Sequence, residues 1–194
     1  MDILLNWNQS IFLLINRYHS PIVDKLMLFF TSTANGLILA TVILVILAIF
    51  DRKRMMRVFL TVLLAGVIGG VLVYLLKWKI GGLRPLAVFP EAHFLGEPLK
   101  MGSFPSGHTQ LCFATSAVLA KEYKKSWKFL YPWALIVGFS RVYIAAHFPI
   151  DVIAGAIIGY LSAKFILWYN LLNNKEFYSS VEHRKESKEK CGEE

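Results

Sequence analysis

The stretch VFLTVLLAGVIGGVLVYLL, residues 58–76, decides how the rest of the chain is read. Its 19 residues carry no charge, and about 20 apolar helical residues cross a bilayer core. Arg52, Arg54 and Arg57 precede it and Lys77 and Lys79 follow it, as cations do at the ends of a span. Working outward, residues 36–50 form a second apolar run, uncharged back to Leu26. Residues 109–120, 129–139 with their continuation, and 152–172 form three more. Their cores are short, but aromatic flanks or a snorkelling Lys164 can extend them. The pattern predicts an all-α membrane bundle of about five spanning helices.

Composition agrees. Hydrophobic residues make up 56% of the 194 residues and charged residues 18%, against about 45–50% and about 25% in soluble domains. Too few polar groups remain to coat a soluble fold, and disordered or collagen-like chains are excluded as well. Cys112 and Cys191 make no disulfide framework, and no Cys/His spacing suggests zinc or a redox dithiol. The N-terminus has no basic region with a small-residue cleavage site, so no removable signal peptide is expected. The net charge is +8. Its basic residues stand in short clusters between apolar runs, which speaks for membrane topology and against nucleic acid.

Three regions follow. In residues 1–34, apolar and polar residues alternate at roughly helical spacing, and Pro21 interrupts the pattern. Two amphipathic helices lying in the interface are expected there. Trp7, Phe12 and Leu14 would face acyl chains, with Asp24 and Lys25 on the polar side. Residues 35–172 form the spanning core, and the charged tail, 173–194, is expected to be solvated and partly disordered. With five spans, residues 51–57, 121–128 and the tail share one side, with 13 basic residues against 7 on the other. The positive-inside rule places that side in the cytoplasm. Gly66, Gly69 and Gly70 suggest close helix packing, and Trp78, Trp127, Trp133 and Trp168 an interfacial aromatic belt.

The chemically unusual residues all fall on the opposite side. Three clusters stand at the outer ends of apolar runs: Lys77 with Arg84-Pro85, then Pro105-Ser106-Gly107-His108, then Ser140-Arg141 with His147 and Asp151. Ionisable groups so placed are costly and point to function. Two arginines and a lysine suit phosphate. Ser106, Gly107 and His108 precede an apolar run and read as a helix N-terminus, where free N–H groups favour an anion. His147 and Asp151 are spaced i, i+4 and share a face if the helix begins near Pro149 or earlier. A carboxylate beside an imidazole fixes its tautomer and supports the charge it gains. With His108 the set amounts to a covalent phosphoryl-transfer site without a metal or cofactor.

This pattern resembles the type 2 phosphatidic acid phosphatase superfamily, with its K-x6-R-P, P-S-G-H and S-R-x5-H-x3-D elements in order over Lys77–Pro85, Pro105–His108 and Ser140–Asp151. The resemblance implies that His147 attacks phosphorus and forms a phosphohistidine, and that Asp151 orients it. It implies that His108 protonates the leaving oxygen and then activates water. Lys77, Arg84, Ser106, Gly107 and Arg141 would hold the phosphate oxygens. The expected protein is a lipid phosphatase of the bacterial inner membrane, multi-pass, with its site facing the periplasm or exterior.

Taken singly, Lys77 reads equally well as an interfacial anchor and His147 as a satisfied bundle histidine; the ordered combination carries the reading. A non-catalytic phospholipid-binding protein is the competing class, and binding alone has no use for two spaced histidines. Lipid A 1-phosphate is the substrate favoured, with undecaprenyl diphosphate and phosphatidylglycerophosphate as alternatives. Oligomeric state is not legible.

Overall fold

The structure, a computed structural model, describes residues 2–50, 52–96 and 100–169. The tail expected at 173–194 lies outside them. The described chain is almost wholly helical. Helices α1 (Asp2–Arg17) and α2 (Pro21–Thr31) are followed by α3 (Thr33–Phe50) and α4 (Arg52–Lys79). A short α5 (Pro85–Val88) sits in the loop before α6 (Gly107–Glu122). A 3-10 turn (Lys124–Ser126) leads into α7 (Trp127–Tyr143), and α8 is Pro149–Tyr169. Residues 54–79 of α4 and all of α8 are long and apolar enough to cross a membrane.

Helix α8 shows which solvent the bundle is built for. Ile153, Ile157, Leu161 and Phe165 recur every fourth residue and are all exposed. Gly155, Gly159 and Ala163, two positions on, are buried. Large apolar groups outside and small ones inside reverse the soluble pattern and suit lipid, where close backbone approach drives helix association. A Cβ on Gly155 would come within 2.4 Å of the Ser106 carbonyl oxygen, and one on Gly159 within 2.1 Å of that of Gln110. Helices α6 and α8 therefore touch backbone to backbone, starting at the residue that opens α6. Of the three glycines expected at close contacts, Gly69 faces Gln110 and Gly66 faces Leu111, whereas Gly70 meets nothing.

The core runs between α4, α6 and α8 through Ala65, Ala114, Val118, Ala163 and Ile166. A second cluster, Phe12, Val142, Ala145 and Phe148, packs α1 against the loop joining α7 to α8. This overturns one expectation. Phe12 is 0% exposed and belongs to the protein interior, while Trp7 (41%) and Leu14 (59%) face outward. Asn8 and Asn16, polar residues of the same helix, are buried as well. Asn8 Oδ1 accepts from Ile150 N (3.0 Å), and Asn16 Nδ2 donates to the carbonyls of His93 (2.8 Å) and Tyr143 (3.0 Å). Asp24 also turns inward, accepting from Tyr143 Oη (2.6 Å) and His93 Nε2 (3.1 Å). The Tyr143 bond is the main reason its carboxyl is held below the usual range. Periodicity finds a helix's two faces, but loop carbonyls with no other partner decide which face is inner. Trp133 likewise packs edge-on against Phe30, with ring centroids 5.0 Å apart, and so serves a helix contact instead of a lipid belt.

Candidate active site

Two loops and four helix ends build the site. Helix α4 ends at Lys79, and Gly81 and Gly82 follow with left-handed φ of 65° and 73°, a region open to glycine. That turn lets Leu83 pair antiparallel with Met101, while Arg84 N donates to Lys100 O (2.9 Å). Gly82 O accepts from Gly102 N (3.1 Å) and Ser103 N (3.4 Å). The loop carrying Arg84 is thereby clamped to the one that leads into α6. Lys77 Nζ donates to the Gly102 carbonyl. Arg84 donates to the carbonyls of Met101 (3.0 Å) and Ala146 (3.3 Å).

Ser106 caps α6: its Oγ accepts from Thr109 N (3.5 Å) and pairs with Thr109 Oγ1 (2.9 Å). Capping satisfies one of the four free N–H groups of that terminus. At the end of α7, Arg141 O accepts from both Ala146 N (3.0 Å) and His147 N (3.1 Å). Between them Ala145 adopts a left-handed φ of 57°, a strained setting for a residue with a Cβ. This tight turn presents His147 ahead of α8, so His147 and Asp151 do not share a helix face as the i, i+4 spacing suggested. They meet regardless. His147 Nδ1 lies 3.7 Å from Asp151 Oδ2, an ion-pair distance that is long for a hydrogen bond. Asp151, in the first turn of α8, reaches back to accept from Phe148 N (2.9 Å), as a capping-box acid does. Its carbonyl accepts from Ser106 N (3.0 Å), joining the starts of α6 and α8.

A cavity of about 540 Å³ opens here, lined by Lys77, Arg84, Gly107, His108, Arg141 and His147 among others. Six of the eight expected site residues thus line one space. Asp151 stands behind His147. Ser106 is fully buried with its hydroxyl on Thr109, so its place is the helix cap. Burial pushes the His147 imidazole down to about 4, and the Arg141 and Arg84 guanidiniums add to this while Asp151 opposes it. A neutral ring is the nucleophilic form. Burial also lowers Arg84, which stays charged at neutral pH. A pocket with three cations, a helix N-terminus and a neutral imidazole suits attack on a phosphate ester.

Residues 54–175, more than half of the chain, match the PAP2 superfamily. The chain belongs to that superfamily. Among PAP2 relatives, it is 32% identical over 158 residues to the undecaprenyl-diphosphatase of Sulfolobus acidocaldarius, covering 80% of this chain and 74% of that one. It is 33% identical over 159 residues to the lipid A 1-phosphatase of Rhizobium johnstonii, covering 78% of this chain and 59% of the relative. The crystal structure of Aquifex aeolicus LpxE superposes with a TM-score of 0.72 at 32% identity, over 82% of this chain and 94% of that one. This PAP2 protein is a membrane lipid phosphatase, a hydrolase of phosphate groups on lipids.

Two polar residues of the site were not anticipated. Ser103 Oγ donates to Asp151 Oδ2 (2.5 Å), and Thr31 Oγ1 accepts from Arg141 Nη1 (2.5 Å). Neither has a spacing signal: Ser103 is one serine in a loop, and Thr31 is 110 residues from its partner.

Proposed function

We propose that this phosphatase hydrolyses an envelope lipid phosphate through a phosphohistidine on His147. The observation that carries the reading is the buried His147–Asp151 pair opening onto a cavity lined by Lys77, Arg84 and Arg141. His147 Nδ1 faces Asp151, which leaves Nε2 for phosphorus. Nε2 forms the N–P bond as the P–O bond to the lipid breaks, and His108 gives its proton to the departing oxygen. The imidazolium is then supported by Asp151. Water, deprotonated by His108, attacks phosphorus, and the N–P bond breaks to release phosphate. Charge developing on the equatorial oxygens is met by the three cations and the α6 N-terminus. No step is assigned to a metal or cofactor.

Lipid A 1-phosphate is the substrate we favour, supported by the 33% identity to the lipid A 1-phosphatase of Rhizobium johnstonii. Undecaprenyl diphosphate is the second reading, supported by the 32% identity to a diphosphatase. The helices α3, α4, α6, α7 and α8 serve as the five spans. Lys77 stands in the last turn of α4 and Gly107 opens α6, whereas Arg52–Arg57 and Lys121–Lys128 stand at the opposite ends of those helices. The charge asymmetry then directs the site to the periplasm or exterior. Phosphate release across both lipids and phosphatidylglycerophosphate ranks the substrates. Acid-quenched labelling with a phosphorus-labelled lipid should trap phosphoenzyme in the wild type and none in His147→Ala. Turnover persisting in His147→Ala would refute the mechanism.

A further inference from the structure

We infer that Ser103 is a positioning residue for this reaction: its hydroxyl fixes Asp151 Oδ2 before His147 Nδ1 and limits how strongly that carboxylate draws a proton onto the imidazole. The inference rests on the phosphohistidine reading above.

Ser103 is 2% exposed and lies on the loop tied to Gly82. Its Oγ donates to Asp151 Oδ2 at 2.5 Å, and Phe148 N donates to the same oxygen at 2.9 Å. His147 Nδ1 stands 3.7 Å from that oxygen and has no hydrogen-bond partner despite full burial. One carboxylate oxygen thus serves two donors while the imidazole waits outside hydrogen-bond reach. A buried orphan beside a doubly engaged acceptor needs an explanation. Each donor on a carboxylate stabilises its charge and makes it a weaker base. With both donors in place, Asp151 orients the neutral ring without prematurely charging it. Once Nε2 bonds phosphorus, the cationic ring becomes a stronger donor and can close on Oδ2.

The charged and titratable groups around the pair come from every neighbouring element: Lys77 from α4, Arg84 before α5, His108 from α6 and Arg141 from α7. The Arg141 and Arg84 guanidiniums oppose protonation of His147, and Asp151 favours it. Removing the Ser103 donor leaves the negative charge on Oδ2 less shared and strengthens the second influence. The His147 proton is then bound at higher pH, and the acid limb of kcat/KM moves up.

The test uses the full-length protein in detergent micelles with dioctanoyl phosphatidic acid as probe. For Ser103→Ala the acid limb of kcat/KM should rise by about one pH unit relative to wild type. The plateau kcat should fall by less than about tenfold, with KM little changed. Ser103→Thr, which keeps the hydroxyl, should return the limb to the wild-type position. Ser103→Cys, a weaker donor, should fall between, and the Thr and Cys pair decides the matter if the alanine variant does not fold. A limb that stays in place in Ser103→Ala, or in Ser103→Cys relative to Ser103→Thr, overturns the inference, since a merely structural role lowers the plateau alone. His147→Ala is measured alongside. If it keeps turnover, the phosphohistidine reading has failed; if it is inactive and the Ser103 limbs coincide, only the role of Ser103 has failed.

Discussion

Thr31 Oγ1 accepts a hydrogen bond from Arg141 Nη1 at 2.5 Å, so the last residue of α2 holds a cation that lines the cavity. Thr31 lies outside the region matched to the PAP2 superfamily, residues 54–175. Leu28, Thr31 and Ser32 also line the cavity. Helix α2 is therefore part of the site's wall and does more than cover the bundle. Helix α2 is anchored there twice, by Thr31 on Arg141 and by Asp24 on Tyr143, at the two sides of the α7 terminus.

This contact gives the first prediction. Thr31→Val keeps the shape and removes the acceptor, freeing Arg141 to leave its phosphate-binding position. A hydrogen bond to a charged group contributes about 1.5–3 kcal/mol. The kcat/KM should fall on the order of tenfold, and Thr31→Ser should recover most of it. Steady-state kinetics on a short-chain lipid phosphate measure both.

The second concerns pH. The proposed mechanism needs a neutral His147, whose folded value is lowered to about 4, chiefly by burial. The acid limb of kcat/KM should lie near pH 4 to 5, well under the ordinary imidazole value of about 6.5. The sign for stability follows. Between the folded and unfolded values the unfolded chain binds more protons, so the contribution of this group is full above about 6.5 and is lost as pH falls toward 4. A kinetic inflection at 6.5 or above assigned to His147 would contradict the burial argument.

Helix packing supplies the third. Gly159→Ala places a Cβ 2.1 Å from the Gln110 carbonyl oxygen, backbone that cannot step aside, and must separate α6 from α8. A loss of about 2 kcal/mol or more is expected, together with activity, because the first turns of the same two helices are joined by the bond from Ser106 N to the Asp151 carbonyl. Gly70→Ala meets nothing within 4 Å and should be neutral or stabilising by about 0.5–1 kcal/mol. Thermal unfolding of the two variants in detergent should move in opposite directions, or Gly70→Ala should stay at the wild-type value.

The fourth separates the two faces of α1. Phe12 packs in the cluster with Val142, Ala145 and Phe148 beside the nucleophile, and Phe12→Ala should destabilise by about 3–5 kcal/mol. Its activity should fall equally on long-chain and short soluble phosphates. Trp7→Ser with Leu14→Ser alters only exposed side chains. That double variant should impair the long-chain lipid much more than the soluble ester. Equal losses in the double variant would show that the outward face plays no part in receiving lipid.

What the sequence by itself determined is local. Uncharged runs such as 58–76 specify membrane helices because a helix in lipid satisfies its own backbone and needs only apolar side chains. The order and spacing of Lys77, Arg84, His108, Arg141, His147 and Asp151 were legible because each sits at the end of such a run, where a charge is conspicuous. Tertiary structure alone decided the rest. The inward face of α1 depends on the carbonyls of His93 and Tyr143 that receive Asn16. The roles of Ser103 and Thr31 depend on partners 48 and 110 residues away. The backbone contact at Gly155 and Gly159 depends on which helix lies opposite. Periodicity records which side of a helix differs from the other, but a hydrogen bond between distant residues leaves no periodic trace. Only the packed bundle brings its two ends together.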